Sequence, residues 1–82
     1  MQFLRPKTVL ERYGYTRSQF YAAQQDGTFV RSVKIGKRAA VIPEGEAEVL
    51  AAARVAGAST EQIKQLVAKL HEQRTAGMPA LS

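Results

Sequence analysis

The order of apolar and polar positions divides the 82-residue chain into short elements separated by Gly, Pro and capping residues. Phe3-Leu4 is a brief apolar start. Pro6 follows, suited to the first turn of a helix because its missing N–H would be unpaired there anyway. Val9, Leu10 and Tyr13 then share one face, and Gly14 stands where a C′ glycine would close the helix. The pattern predicts a first helix over Pro6–Tyr13. Thr16 with Gln19 three residues on has capping-box spacing. It predicts a second helix over Arg17–Asp26, stopped by Gly27, with Phe20 and Ala23 inward and Arg17, Ser18, Tyr21 and Gln25 outward. Two short helices joined by Gly14-Tyr15 have the spacing of a helix-turn-helix.

Past Gly27 the period changes. Phe29, Val33 and Ile35 alternate with Val30, Lys34 and Gly36, and Ala39, Val41 and Ile42 follow Gly36-Lys37. This predicts a β-hairpin turning at Gly36-Lys37. Pro43 then opens a third helix whose early Glu44, Glu46 and Glu48 complement the helix dipole; it runs through Val49, Leu50 and Ala53 to Gly57. Ser59 with Gln62 repeats the capping-box spacing. Ile63, Leu66, Val67 and Leu70 follow at i, i+3, i+4 and i+7, predicting an amphipathic fourth helix over Thr60–Arg74. The fold class expected is α+β, mostly helical, a winged helix-turn-helix with a two-stranded wing and a C-terminal helix. Residues 1–76 are expected to form the domain, and 77–82, which carry no periodicity, a frayed tail.

Charge changes the picture. Residues 1–42 carry eight Lys and Arg against two acidic residues, a net of +6; residues 43–82 carry four against five, a net of −1. The basic half would attract a polyanion by releasing its counterions. Twenty-four apolar residues larger than Ala suffice for one small core. A chain this short buries only about 60–65% of its unfolded surface, which makes help from a partner or ligand plausible. There is no Cys, hence no disulfide and no thiolate metal site. No apolar run nears the ~18 residues of a membrane span, and no signal segment is evident. The expected location is therefore cytoplasmic, on the nucleoid.

The chemistry on offer is recognition rather than catalysis. The one histidine, His71, has no Cys or Asp beside it to orient it and reads as a surface or interface residue. Gly36-Lys37-Arg38 lacks phosphate-loop spacing, and no metal-ligand cluster is present. We therefore expect no enzyme, cofactor or metal. The second helix offers Thr16, Arg17, Ser18, Gln19, Tyr21 and Gln25. Arg can read guanine and Gln adenine through base edges, while Ser and Tyr can reach phosphates. The same positions would also serve as an ordinary solvated face, with Gln19 only capping. The hairpin adds Arg31, Lys34, Lys37 and Arg38 with no acid among them. Such a ribbon can lie along the DNA backbone or in the minor groove, or simply keep a sheet edge from aggregating. The stripe Ile63, Leu66, Val67 and Leu70 is expected to serve as core, with an interface between copies as the alternative use.

These segments resemble a known family. Phe3-Leu4-Arg5, Val9 and Tyr15-Thr16-Arg17-Ser18-Gln19-Phe20-Tyr21 look like the opening of AlpA-like phage regulatory proteins. Val33-Lys34-Ile35-Gly36-Lys37-Arg38-Ala39, then Ile42-Pro43-Glu44, look like their wing and the entry to the next helix. The family is a branch of the MerR-like winged helix-turn-helix group that also holds many excisionases of phages and mobile elements. The resemblance covers about residues 3–56, and Gly57–Leu70 are similar to the helix that follows in some members. It implies that the second helix enters the major groove of double-stranded DNA with the wing beside it. Arg17, Ser18 and Tyr21 match the helix motif; Lys34 and Arg38 match the wing. Three positions depart from the pattern: Ala22 where a basic residue is common, Gln24 where an apolar one is usual, and Ile42 in place of an aromatic. Two roles are implied: gene control, or assistance to an integrase by several copies that bind side by side and bend the attachment site. A protein-interaction module built on the last two helices is the rival from another class.

Overall fold

The computed structural model describes residues 2–37 and 39–76. Four helices and three short strands follow one another: β1 (Phe3–Leu4), α1 (Pro6–Tyr13), α2 (Arg17–Asp26), β2 (Val33–Lys34), β3 (Ala40–Pro43), α3 (Glu44–Val55) and α4 (Thr60–Ala76). The class is α+β and mostly helical, arranged as a helix-turn-helix followed by a wing-like ribbon.

Local chemistry explains the boundaries. Pro6 occupies the first turn of α1, and Gly14 closes it at φ 77°, a left-handed conformation that glycine adopts without a steric penalty. Thr16 Oγ1 accepts from the Gln19 amide at 3.1 Å, and Gln19 Oε1 accepts from the Thr16 amide at 3.0 Å. Both donors would otherwise be orphaned at the start of α2. The Ser59–Gln62 pair repeats the exchange at the start of α4, at 2.8 and 3.1 Å.

The sheet holds one strand more than the alternation predicts. Its order is β1-β3-β2, both pairs antiparallel, with Phe3 opposite Pro43, Leu4 opposite Ile42, and Val33 opposite Val41. Two-residue β1 is too short to show a period, so its pairing is not legible in the sequence. The hairpin is also shorter than expected. Phe29 and Val30 precede the first strand, and both are buried, where alternation would put one outward. Ile35, expected on the inward face, is about half exposed because the ladder ends at Lys34. Pro43 ends β3 and caps α3.

The core is one cluster: Leu4, Val9, Phe20, Ala23, Phe29, Val30, Ile42, Ala47, Leu50, Ile63, Val67 and Leu70. Tyr15, in the turn between α1 and α2, packs its ring edge-on to Phe29 at 5.6 Å and to Phe20 at 6.2 Å. This aromatic group fixes the angle at which α2 leaves the turn. Ile42, in place of the family's usual aromatic, is fully buried.

The stripe of α4 closes this core. Ile63, Val67 and Leu70 are buried by the protomer itself, and Leu66 packs against the same cluster. Within the protomer the stripe therefore serves as core, packed with α3. No helix among the described residues is long and apolar enough to cross a membrane. The tail expected over 77–82 lies outside the described residues.

Candidate nucleic-acid interface

α2 presents its two faces as its sequence predicts. Phe20 and Ala23 are buried, while Arg17, Ser18, Tyr21 and Gln25 are exposed together with Thr16 and Gln19. Thr16 and Gln19 are engaged in the capping box, which uses the hydroxyl oxygen of one and the amide oxygen of the other as acceptors. The Gln19 amide hydrogens and the Thr16 hydroxyl hydrogen are left to donate outward. Tyr21 is about half exposed, its ring edge-on to Phe20 at 5.3 Å, so its position is fixed by the core while its phenol reaches solvent.

Gln24 is half-buried and faces the wing. Its Nε2 donates to the Val30 carbonyl at 3.1 Å and to Ser32 Oγ at 3.0 Å. The departure from an apolar residue here is thus a polar tie between α2 and the base of the wing.

The wing itself is β2, β3 and the intervening 35–39 segment, closed by an Ile35 amide to Ala39 carbonyl bond at 3.1 Å. Arg31, Lys34 and Lys37 are exposed along it; Arg38 lies outside the described residues. The ion pairs formed among the described residues are Arg12–Glu44 and Arg74–Glu46. Both take acids of α3, one against α1 and one against α4. The cations of the wing and Arg17 form no ion pair among those residues. The Glu44 bond holds the Arg12 guanidinium above its ordinary pKa, so that cation is fixed as a strut.

Two residues of the last helix, neither among the expected binding residues, reach the base of the wing. His71 Nε2 accepts from the Arg31 amide at 3.1 Å. Arg74 Nη2 donates to the Arg31 carbonyl at 2.9 Å while its Nε donates to Glu46 Oε2 at 2.9 Å. His71 is half-buried on the packed side of α4, not on its polar side. The missed signal was the continuation of the stripe: Val67, Leu70, His71 and Arg74 keep the i, i+3, i+4, i+7 spacing, with polar residues at its end.

No group of three or more His, Cys, Asp or Glu able to hold a metal ion occurs among the described residues, and no buried side-chain polar atom there lacks a partner. An open groove of about 630 Å³, lined by Tyr13, Ala22, Leu50 and Val55 among others, runs between the α1–α2 turn and α3. It brings no charged residue of the wing together with α2.

A helix-turn-helix with a basic ribbon after its second helix defines a winged helix-turn-helix-like protein. The model of the family described as Prophage CP4-57 regulatory protein (AlpA) matches residues 2–51, more than half of the chain. The chain belongs to this AlpA family of phage-type regulatory proteins. The match takes in α1, α2, the sheet and most of α3, and stops short of α4. No curated protein and no solved structure matches the chain.

Proposed function

We propose that the protein binds double-stranded DNA, not as an enzyme but as a sequence-specific regulator, with α2 in the major groove and the wing along the adjacent backbone. The observation that carries this reading is how the charges are used. Arg12 of α1 and Arg74 of α4 are bound to acids of α3, whereas Arg17, Arg31, Lys34 and Lys37 stand exposed without ion pairs among the described residues. Charges kept free at a surface are the ones that displace counterions from a phosphate backbone. Arg17, Ser18, Tyr21 and Gln25 then supply base and phosphate contacts from one helix face.

Mobility-shift titrations over a range of salt concentrations test this. Binding weakens by about 0.9 log units per phosphate contact for each decade of salt. Absence of binding to DNA of its own element at low salt overturns the reading and leaves the protein-interaction module as the better one.

Within this reading several copies act together on one site, since one recognition helix reads only a few base pairs. Two uses follow, control of transcription and assistance to an integrase in excision. A run of direct repeats in a footprint, with enhanced bending, marks the excision role; a single compact pair of half-sites marks a repressor or activator.

A further inference from the structure

The base of the wing is held unusually firmly for an exposed ribbon. Val30 is fully buried, and the next two residues lead to β2. Gln24 of α2 bonds the Val30 carbonyl and the Ser32 hydroxyl. From α4, His71 takes the Arg31 amide and Arg74 the Arg31 carbonyl, so both backbone polar groups of Arg31 are bound by side chains of one helix turn. Arg74 is itself held by Glu46 of α3 through its Nε and Nη2. Arg31 itself remains exposed.

We infer that His71 and Arg74 are positioning residues for the wing, and that His71 releases the wing's base, and weakens the grip on DNA, when it takes up a proton. This rests on the DNA-binding reading above. As an acceptor, Nε2 must carry its lone pair, which places the imidazole proton on Nδ1. A proton added to Nε2 turns that acceptor into a donor facing another donor, and the bond to the Arg31 amide is lost. The groups facing His71 are Arg31 from the wing's base, Arg74 from its own helix and Glu46 from α3. Burial, then the two cations, lower the His71 pKa from its ordinary 6.5, and Glu46 works against them. His71 is the chain's single histidine, so side-chain titration between pH 5 and 7.5 is its own.

Two readouts on the intact protein test this. The first is hydrogen exchange of the Arg31 amide in free protein at pH 5 and 7.5, each rate normalised to that of an unstructured peptide. The second is affinity for the element's DNA at fixed salt over the same range. Acidification is expected to cut the Arg31 protection, and the DNA affinity, by about fivefold, the worth of one ordinary hydrogen bond. His71→Gln keeps an acceptor oxygen that takes up no proton, so both readouts stay flat at their neutral values. Arg74→Lys loses the two-pronged grip on Glu46 and lowers the protection at both pH values. Unchanged protection of Arg31 across the range overturns the inference. So does an affinity that rises on acidification, which is what an added positive charge alone would give. If no DNA is bound at any pH, the proposed function fails, and the exchange measurement by itself still decides whether His71 holds the wing.

Discussion

Gln24 shows how a single side chain can run against a family pattern without weakening the fold. In an amphipathic helix its position would take an apolar residue, yet its two amide hydrogens are given to Val30 and Ser32. Gln24→Ala is expected to cost about 1 kcal/mol in urea unfolding, the net worth of such bonds, and to raise hydrogen exchange at the base of the wing more than elsewhere. Arg17 and Lys37 differ in what they can read. Arg17 begins α2; in the proposed reading, in which that helix enters the groove, its fork suits guanine. Arg17→Ala is expected to lose about 1–3 kcal/mol at one base position and to relax specificity there. Lys37, in the segment between the strands, meets backbone only in the same reading. Lys37→Ala is expected to weaken every sequence alike and to lower the salt slope by about 0.9. Equal losses on specific and random DNA for both variants would show that this division of labour is wrong.

At the scale of elements, α4 carries both structural and positioning work. Its stripe is core, with Ile63, Val67 and Leu70 nearly inaccessible. Leu70→Ala is expected to destabilise the protein by about 2–5 kcal/mol, and Leu70→Asp to abolish the fold in circular dichroism. Val55→Asp, at a position 90% exposed, is expected to change stability by less than about 0.5 kcal/mol. Where helices are concerned the elements were legible, because Pro6, Gly14, the Thr16–Gln19 box and the Ser59–Gln62 box are local signals that need no partner. β1 and the short β2 were not. Their pairing is set by where β3 passes, and two residues hold no period. The exposed face of α2 could be read from Phe20 and Ala23 alone, since whatever is opposite a buried pair faces water. The His71 and Arg74 contacts could not. They join residues forty positions or more apart, and nothing around His71 in sequence says which loop it meets. The sign of their pH effect follows from His71. Its pKa is depressed in the fold, so the stability tied to its neutral form is complete above its ordinary 6.5 and is lost as pH falls through the depressed value. Thermal unfolding is expected to shift to lower temperature on acidification from pH 7 to 5, and not to shift in His71→Gln. Asp26, held below its ordinary 3.8 by the Thr28 hydroxyl and amide, acts only at still lower pH.

Across the whole molecule, the sequence half that carries +6 also carries α2 and the wing, while the other half turns its acids on α1 and α4 through Glu44 and Glu46. This division leaves the cations of α2 and the wing unpaired among the described residues, and the small size of the domain limits what one copy can do. A single recognition helix touches three or four base edges, and a genome offers ~10⁶ or more competing sites. Under the proposed function, selective control of one site therefore calls for copies side by side. The α4 stripe is largely buried within each protomer, with Leu66 partly exposed. In that reading neighbours meet through outer surfaces or through the DNA they share. The size of the domain makes this measurable. Its longest dimension is 42 Å, which at about 3.4 Å per base pair spans roughly 12 base pairs. Protection of a stretch clearly longer than that, appearing over a narrower concentration range than independent sites allow, is expected on the element's own DNA. Free protein is expected to sediment as a monomer at the same concentrations, because the α4 stripe is taken up by the protomer's own core. A footprint no longer than one domain, filled without cooperativity, would remove the need for several copies and leave a lone domain of low selectivity.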